Sequence, residues 1–340
     1  MVPRFDRTGQ IFGSYELRDF LGQGGFAEVY RGVHTILPQK QAAIKILIKQ
    51  LVQTRSNQFQ QEAQFISQFN HPNIVHLHDY GLYSNPEQTM TIIPYIVMDY
   101  VPKGSLRKNY PRGSRLHVPM VAAYIHQIAE ALQYAHNNNV MHLDVKPENM
   151  LMGEQGQLLL GDFGLARFFS EKDMLADIQG TLSYMSPEQF DTNPGPGFAS
   201  DQYALAVVAY EWLCGRVPFR GTSVDEIRYH HQNSLPPSLC AVLPQLPPAV
   251  ETVIMKALKK DPRSRYASVS EFASELEAAI NPSLVPNPLP TPFPTPTPVP
   301  VRPPDPQLPS MPSVSYQPQT SHEPFFRTQE ARPVGFGSGG

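Results

Sequence analysis

The order of the hydrophobic patterns along the chain constrains its fold more than any other feature. Four short segments, rich in aromatic and β-branched residues, read as strands: 15–25, 26–33, 41–48 and 95–101. One helical pattern, with apolar residues three to four positions apart, interrupts them at 56–70. From about Pro119 onward the pattern is helical, over 119–137, 200–214, 223–231, 248–259 and 269–280. This order predicts an α+β fold with a small β-rich lobe and a larger α-helical lobe, and clefts between lobes are favoured ligand sites.

The composition changes abruptly near Asn281. Residues 282–340 hold nearly half of the 36 prolines, with "NPLPTPFPTPTPVPVRPP" at their centre. Because proline lacks a backbone donor and favours extended polyproline geometry, neither helix nor sheet is expected there. We predict an N-terminal extension over 1–12, a folded unit over 13–281 with lobes at about 13–101 and 102–281, and a disordered tail over 282–340. The tail is either a plain spacer or a docking segment for a proline-reading domain.

Charge and cysteine usage exclude several function classes. The formal net charge of −3 offers no basic surface for nucleic acid. Two cysteines cannot build a disulfide framework or a metal cluster, and they fit a reducing cytoplasm. The N-terminus lacks the apolar core of a signal peptide. The longest apolar stretch, 203–214, is too short to span a bilayer and is interrupted by Glu211, so we expect a buried helix, no membrane segment and a cytoplasmic location.

A glycine-rich turn and a lysine in an apolar strand are the first candidates for chemistry. In "LGQGGFAEVY", at 21–30, Gly22 and Gly24 would let the backbone approach a phosphate closely, although a plain hairpin also explains this stretch. Lys45 stands in the apolar strand "AAIK". A buried ammonium needs an anion, and Glu62 is the candidate partner; taken singly, Lys45 could equally be a solvated strand lysine.

Two later stretches add a base and metal ligands. "HLDVKPENM", at 142–150, offers Asp144 as a base, Lys146 as a local cation and Asn149 as a metal-facing amide. "LLLGDFGLA", at 158–166, places Asp162 after an apolar strand, where its carboxylate suits Mg²⁺ but could also be only a turn residue. Phosphoryl transfer needs a phosphate cradle, a lysine, metal ligands and a group that orients the hydroxyl. The chain contains all of them.

Residues 15–280 resemble a protein kinase, and in detail the bacterial serine/threonine kinases of eukaryotic type. The stretches that carry the resemblance are "LGQGGFAEVY", "AAIK", "HPNIV", "YIVMDYV", "HLDVKPEN", "DFG", "GTLSYMSPEQ", "SDQYALAVVAYEWLCGRVPF" and "DPRSRY". They occur in the family's order and cover nearly the whole predicted folded unit. The resemblance implies a bilobal kinase fold, ATP and Mg²⁺ as cofactors with Mn²⁺ as an alternative metal, and proteins with serine or threonine as substrates.

The resemblance also implies roles for single residues. Lys45 would hold the α- and β-phosphates and pair with Glu62, and Asp144 would accept the proton of the substrate hydroxyl. Lys146 matches the lysine of serine/threonine-specific members, while Asn149 and Asp162 would hold the metal. The residues implied at the ATP site are Leu21, Gly22, Gln23, Gly24, Gly25, Phe26, Ala27, Val29, Ala43, Lys45, Met98 as gatekeeper, Asp99, Tyr100 and Val101 as hinge, and Leu151.

Five further residues receive roles from the resemblance. Glu188 of "SPEQ" would form an ion pair with Arg265 of "DPRSRY". His142 and Phe163 would pack under the active site, so His142 would be structural and not a base. Thr181 matches the threonine that lies beside the catalytic aspartate.

The chain departs from the family pattern at Leu143, where most members have arginine. In arginine-bearing members this cation pairs with a phosphate on the activation loop, and the pairing orders the loop. Between Asp162 and Thr181 the only hydroxyl is that of Ser170. We therefore expect an active kinase that does not need loop phosphorylation, with Leu143 packed among apolar side chains. The alternatives are a pseudokinase scaffold and a small-molecule kinase, the latter disfavoured by "GTLSYMSPEQ", which resembles a peptide-holding segment.

Ala27 is a second, milder departure. It stands where the family pattern has a third glycine in the phosphate-binding turn, and it reduces the freedom of that turn. Its side chain is small, so we expect ATP binding to tolerate it.

Overall fold

The computed structural model describes residues 6–24, 27–47, 63–84, 92–163, 182–191 and 195–280. All of them lie in the first of the two units into which the chain divides, Met1–Pro286. The expected phosphate-turn residues Gly25 and Phe26, the candidate partner Glu62 and the activation-loop threonine Thr181 lie outside the described residues.

A six-stranded antiparallel sheet forms the N-terminal part of the described fold. Its strands are β1 (Ile11–Phe12), β2 (Tyr15–Gln23), β3 (Ala27–His34), β4 (Gln41–Leu47), β5 (Leu77–Ser84) and β6 (Ile92–Asp99), in the spatial order β1-β2-β3-β4-β6-β5. Four of them confirm the predicted strands. Neither β1 nor β5 was predicted, because β1 has only two residues and β5 (LHDYGLYS) is too polar to show a clear alternation.

The pleat of β4 divides its residues between two faces. Ile44 and Ile46 are fully buried in an apolar cluster that also contains Phe12 and Tyr30. Because successive side chains of a strand point to opposite faces, Lys45 faces away from this cluster. The cluster thus holds the sheet rigid while the other face of β4 carries the lysine.

The predicted helix at 56–70 is described only toward its end. Residues 63–66 are helical, and Ala63, Ile66 and Phe69 are buried at the expected spacing. Phe59, the fourth member of the pattern, lies outside the described residues.

Seven α-helices follow in the described C-terminal part. They are α1 (Leu106–Asn109), α2 (Val118–Asn137), α3 (Phe198–Cys214), α4 (Val224–Asn233), α5 (Leu239–Val242), α6 (Pro248–Ala257) and α7 (Val269–Ile280). The five longer ones confirm the predicted helices to within about two residues at most ends. The helices α1 and α5 have four residues each, too few to produce a periodic pattern, and were not predicted.

Helix α3 is the central element of the larger core. Every residue from Ser200 to Cys214 is buried, which confirms the buried helix expected from the apolar stretch. A helix buried on all sides must pair its polar side chains, because an unpaired buried charge is costly. Asp201 and Glu211 are its charged side chains among these buried residues, and both have hydrogen-bond partners. None of the described helices has the length and apolarity needed to cross a membrane.

A short hairpin brings two candidate metal ligands to one place. Its strands are β7 (Met150–Met152) and β8 (Leu158–Leu160), with Met150 opposite Leu160. Asn149 precedes β7, and its carbonyl accepts a hydrogen bond of 2.9 Å from the amide of Gly161, which follows β8. Asn149 and Asp162 therefore lie at the same end of this hairpin.

Candidate active site

Asp144 is held by two neighbours from its own loop. The Nζ of Lys146 lies 2.9 Å from Asp144 Oδ1. The Nδ2 of Asn149 donates to the backbone oxygen of Asp144 at 2.8 Å and to its Oδ2 at 2.9 Å. Burial would lower the pKa of Lys146, but the Asp144 carboxylate outweighs it and the pKa is raised. The lysine stays protonated, and the carboxylate is held in one orientation.

Asn149 and Asp162 have the donor chemistry that Mg²⁺ prefers. The amide nitrogen of Asn149 is used by Asp144, so its oxygen is the atom left for a metal. The described residues contain no group of three or more histidines, cysteines, aspartates or glutamates that could hold a metal by itself. Two oxygen ligands fit a Mg²⁺ ion that takes the rest of its coordination from nucleotide phosphates and water.

Lys45 contacts Asp162 directly. Its Nζ lies 2.7 Å from Asp162 Oδ1, and its side chain is only 13 % exposed. Burial would raise the pKa of Asp162, but Lys45, followed by His142 and Lys146, outweighs it, so the pKa is lowered. Asp162 is thus an anion ready to bind a cation. The expected pairing of Lys45 with Glu62 stays a prediction, because Glu62 is outside the described residues.

The register of the sheet places part of the expected ATP site around Lys45. Val29 lies opposite Lys45 on β3, and Ala43 lies opposite Met98 on β6. A cavity beside them is lined by Lys45, Ala63, Ile66, Val75, Leu77, Ile96, Met98, Asp162 and Phe163. The lining thus includes both the gatekeeper position, Met98, and the candidate metal ligand, Asp162.

Asp99, the first residue of the hinge expected at 99–101, is held by contacts with two histidines. The carboxylate of Asp99 accepts from the His76 backbone amide at 3.0 Å and contacts His78 Nε2 at 2.8 Å. Leu151 on β7 forms a β-bridge with Ser105. Leu21, Gly22 and Gln23 lie in β2, and Gly24 follows it. The binding roles of these residues stay predictions.

His142 packs against the residues on either side of Asp162. It is fully buried, its Nε2 lies 2.8 Å from the carbonyl oxygen of Gly161, and its ring centroid is 4.7 Å from that of Phe163. These contacts agree with a structural role. A fully buried ring with both nitrogens engaged is poorly placed to exchange a proton with a substrate.

Asp201 of α3 anchors the predicted catalytic loop, residues 142–149, and this role was not apparent from the sequence. It is fully buried, and it accepts from the backbone amides of His142 at 2.9 Å and Leu143 at 2.7 Å. Its Oδ2 also lies 2.8 Å from His136 Nε2. The available signal was an acidic residue in the first turn of a mostly apolar helix, because such a group must serve a buried partner.

On the other side of the loop, the predicted ion pair between Glu188 and Arg265 is present. Two bonds of 2.7 and 2.8 Å join the guanidinium to the carboxylate, and both side chains are almost completely buried. Ser200 adds a third bond to Glu188 at 2.8 Å. The pair joins the short turn Pro187–Phe190 to the loop before α7, and the bonds of Ser200 to Glu188 and of Arg265 to the Ala199 carbonyl connect both to helix α3.

Leu143 itself is half-buried, with a backbone φ of 62°. It belongs to none of the apolar clusters formed by the described residues. The loop at 164–181 is outside the described part of the chain. Its expected apolar packing therefore stays a prediction.

Comparison with known proteins identifies the same region. The protein kinase domain family matches residues 15–276. A probable serine/threonine-protein kinase of Streptomyces coelicolor is 36 % identical over 278 residues, which is 80 % of this chain and 41 % of that protein. The serine/threonine-protein kinase PrkC of Bacillus subtilis is 34 % identical over 279 residues, 80 % of this chain and 41 % of its own length. PknH of Mycobacterium tuberculosis is 32 % identical over 279 residues, with 81 % and 43 % covered. The matched region thus spans less than half of each relative.

Proposed function

The chain belongs to the protein kinase family, and on that premise we propose that it transfers the γ-phosphoryl group of ATP to serine or threonine hydroxyls of proteins. The observation that carries the proposal is the arrangement around Asp144. Lys146 and Asn149 hold its carboxylate, and the same hairpin end places Asp162 beside Lys45. One site thus holds a base, two metal ligands and a phosphate-binding cation. The relatives named as serine/threonine kinases support the choice of substrate class.

The proposed reaction is a direct transfer. The substrate hydroxyl oxygen attacks the γ-phosphorus while the bond to the bridging oxygen of ADP breaks, and the electron pair of that bond leaves with ADP. The hydroxyl proton passes to the Asp144 carboxylate. Lys146 pairs with this carboxylate, and its charge would stabilise the negative charge that develops on the phosphoryl oxygens. Mg²⁺, held by Asn149 and Asp162, would neutralise phosphate charge.

Substitution of Asp144 tests the reaction. Asp144→Asn keeps the shape of the side chain but removes the proton acceptor, so turnover on myelin basic protein should fall by roughly 10²–10⁴-fold. ATP binding, measured by calorimetry, should change little. Asp225→Asn is the matched control, because that carboxylate is 91 % exposed and belongs to α4. Wild-type turnover in Asp144→Asn would show that the assignment of the base is wrong.

We further propose that activity does not require phosphorylation of the activation loop. The support is Leu143, which places no cation beside Asp144 for a loop phosphate to neutralise, so the electrostatic reason for such a phosphate is missing. Ser170, the hydroxyl available in that loop, is outside the described residues. Phosphatase-treated protein and the Ser170→Ala variant should both phosphorylate myelin basic protein at near wild-type initial rates. A long lag, or activity that follows phosphate incorporation in the loop, would contradict this.

The alternative is a nucleotide-binding scaffold without turnover. It is the weaker proposal because Lys45, Asp144, Asn149 and Asp162 are all present, and a scaffold has no chemical need for the whole set. Bound ATP without transfer in any phosphorylation state would favour it. The cytoplasmic location and a proline-reading partner for the tail stay predictions.

A further inference from the structure

The peptide that joins Leu143 to Asp144 lies in an unusual stretch of backbone. Leu143 has a φ of 62°, a left-handed conformation that residues with a Cβ rarely adopt. Its amide donates to Asp201 Oδ1 at 2.7 Å. The amide of the next residue, Asp144, donates to His142 Nδ1 at 3.2 Å. The N–H groups of Leu143 and Asp144 thus both have acceptors. The carbonyl of Leu143 needs a donor.

Gln189 supplies the contact to that carbonyl. Its Nε2 donates to the backbone oxygen of Leu143 at 3.1 Å. The carbonyl of Leu143 and the amide of Asp144 belong to one planar peptide group. Gln189 therefore holds one edge of this plane while His142 holds the other. A rotation of the plane would redirect the Asp144 side chain.

The orientation of the Gln189 amide follows from its own partners. Its Oε1 accepts from the backbone amide of Ser186 at 2.9 Å and lies 3.1 Å from the Ser186 hydroxyl. With an N–H donor on one side and a carbonyl acceptor on the other, only one placement of oxygen and nitrogen satisfies both neighbours. Ser186 is fully buried, and the adjacent Glu188 is fixed by Arg265. Gln189 is thus a rigid link between two segments.

We propose that Gln189 is a positioning residue for phosphoryl transfer, acting through the Leu143–Asp144 peptide. It joins the segment around Ser186, which follows the activation loop, to the residue that carries the base. The link consists of neutral hydrogen bonds and involves no phosphate. Because Leu143 has no side-chain cation, the two segments are connected through Gln189 and not through a charge at position 143. The inference rests on the proposed kinase activity and assigns the residue that aligns it.

The Gln189→Glu variant removes the hydrogen-bond donor of the Gln189 side chain and keeps its acceptor. The new side chain keeps its length and an oxygen for Ser186, but an ionised carboxylate has no hydrogen to donate to the Leu143 carbonyl. We expect kcat on myelin basic protein to fall about tenfold at pH 8, with KM for ATP unchanged. Protonation of the carboxyl restores a donor. The kcat of the variant, divided by that of the wild type, should therefore rise toward one as the pH falls from 8 to 5.5.

Two further variants distinguish the loss of the hydrogen bond to Leu143 from the effect of an added negative charge. Gln155→Glu adds the same charge at an exposed turn between β7 and β8, and its kcat should follow the wild type at every pH. Gln189→Met keeps the length but can neither donate nor accept, so its kcat should be reduced without recovery at low pH. In this variant the amides of 142–146 should also exchange hydrogen for deuterium faster than in the wild type.

Each outcome decides the inference. A folded Gln189→Glu protein with wild-type kcat at pH 8 would overturn it, and so would a loss of kcat without recovery at low pH. If this variant does not fold, an unchanged kcat in Gln189→Met overturns it. If the wild type shows no transfer in any state, the proposed function fails. The exchange of 142–146 still tests the link in that case: unchanged exchange in Gln189→Met would overturn it.

Discussion

The buried pair of Glu188 and Arg265 allows a quantitative prediction about stability. Arg265 makes two bonds to Glu188 and donates to three backbone carbonyls, those of Lys259, Ala199 and Lys260. The Arg265→Met variant removes all five bonds and leaves a buried carboxylate without its cation. Loss of one partner of a buried ion pair costs about 3–5 kcal/mol. Since 1 kcal/mol shifts the Tm of a domain of this size by roughly 2–4 °C, we expect Tm to fall by about 10 °C.

Calorimetry or near-UV circular dichroism of the full chain measures this shift. Arg263→Met is the matched control, because Arg263 stands two residues earlier, is 90 % exposed and pairs with the surface residue Asp261. Its Tm should stay at the wild-type value, as expected for an exposed pair. The double variant Glu188→Met/Arg265→Met should melt higher than Arg265→Met alone, because it contains no unpaired buried charge. A Tm for Arg265→Met within 2 °C of the control would refute the reasoning.

The same pair predicts the sign of a pH effect. Burial would raise the pKa of Glu188, but its hydrogen bonds to Arg265 outweigh burial, and the pKa is held below its usual value of 4.5. A carboxyl with a lowered folded-state pKa stabilises the fold above its unfolded pKa, and this contribution is lost as the pH falls through the folded value. The Tm difference between the wild type and Arg265→Met should therefore narrow below about pH 4.5. A constant difference down to pH 3 would contradict the assigned cause.

Two more predictions concern the core and the tail. Burial, followed by the charges of Lys260 and His230, lowers the pKa of His231 from 6.5 to about 3. Between these two pH values the unfolded protein binds a proton that the folded protein does not. The stability of the fold should therefore decrease as the pH falls through this range. The Tm of His231→Gln, measured from pH 7 to pH 4, should fall less steeply than that of the wild type, and parallel curves would contradict the assignment. Truncation after residue 281 should leave Tm and turnover on myelin basic protein within error, because a proline-rich segment adds no apolar core, and a Tm lower by several degrees would show that the tail docks.

The parts of this fold that were predictable from the sequence have local causes. The helix α3 contains a long apolar stretch interrupted only by Glu211, and β4 is a short, mostly apolar strand, so each pattern lies within one segment. Asp144, Lys146 and Asn149 are recognisable because the chemistry needs those side chains at a fixed short spacing. In contrast, β1 and the one-turn helices are stabilised by what surrounds them. Two to four residues contain too little periodicity to predict an element.

The groups that orient the catalytic loop were not predictable, because they come from distant parts of the chain. Asp201 lies 58 residues after Leu143, and Gln189 lies 46 residues after it. Only the fold brings these side chains together. A local motif can therefore identify the base without showing what aligns it. The cue, an acidic residue in the first turn of the largely apolar helix α3, indicates that a buried partner exists but not which one.

The contacts of Leu143 explain how the loop can lose its usual arginine and keep its shape. Asp201 binds the backbone amide of Leu143, and Gln189 binds its backbone carbonyl. Neither bond involves the side chain, so the left-handed backbone at this position is imposed by the two partners whichever side chain is present. We therefore expect leucine in place of arginine to remove a charge that responds to a loop phosphate and to leave the alignment of Asp144 in place. For the same reason, we expect Leu143 to change how the site is regulated and not the geometry on which the proposed chemistry depends.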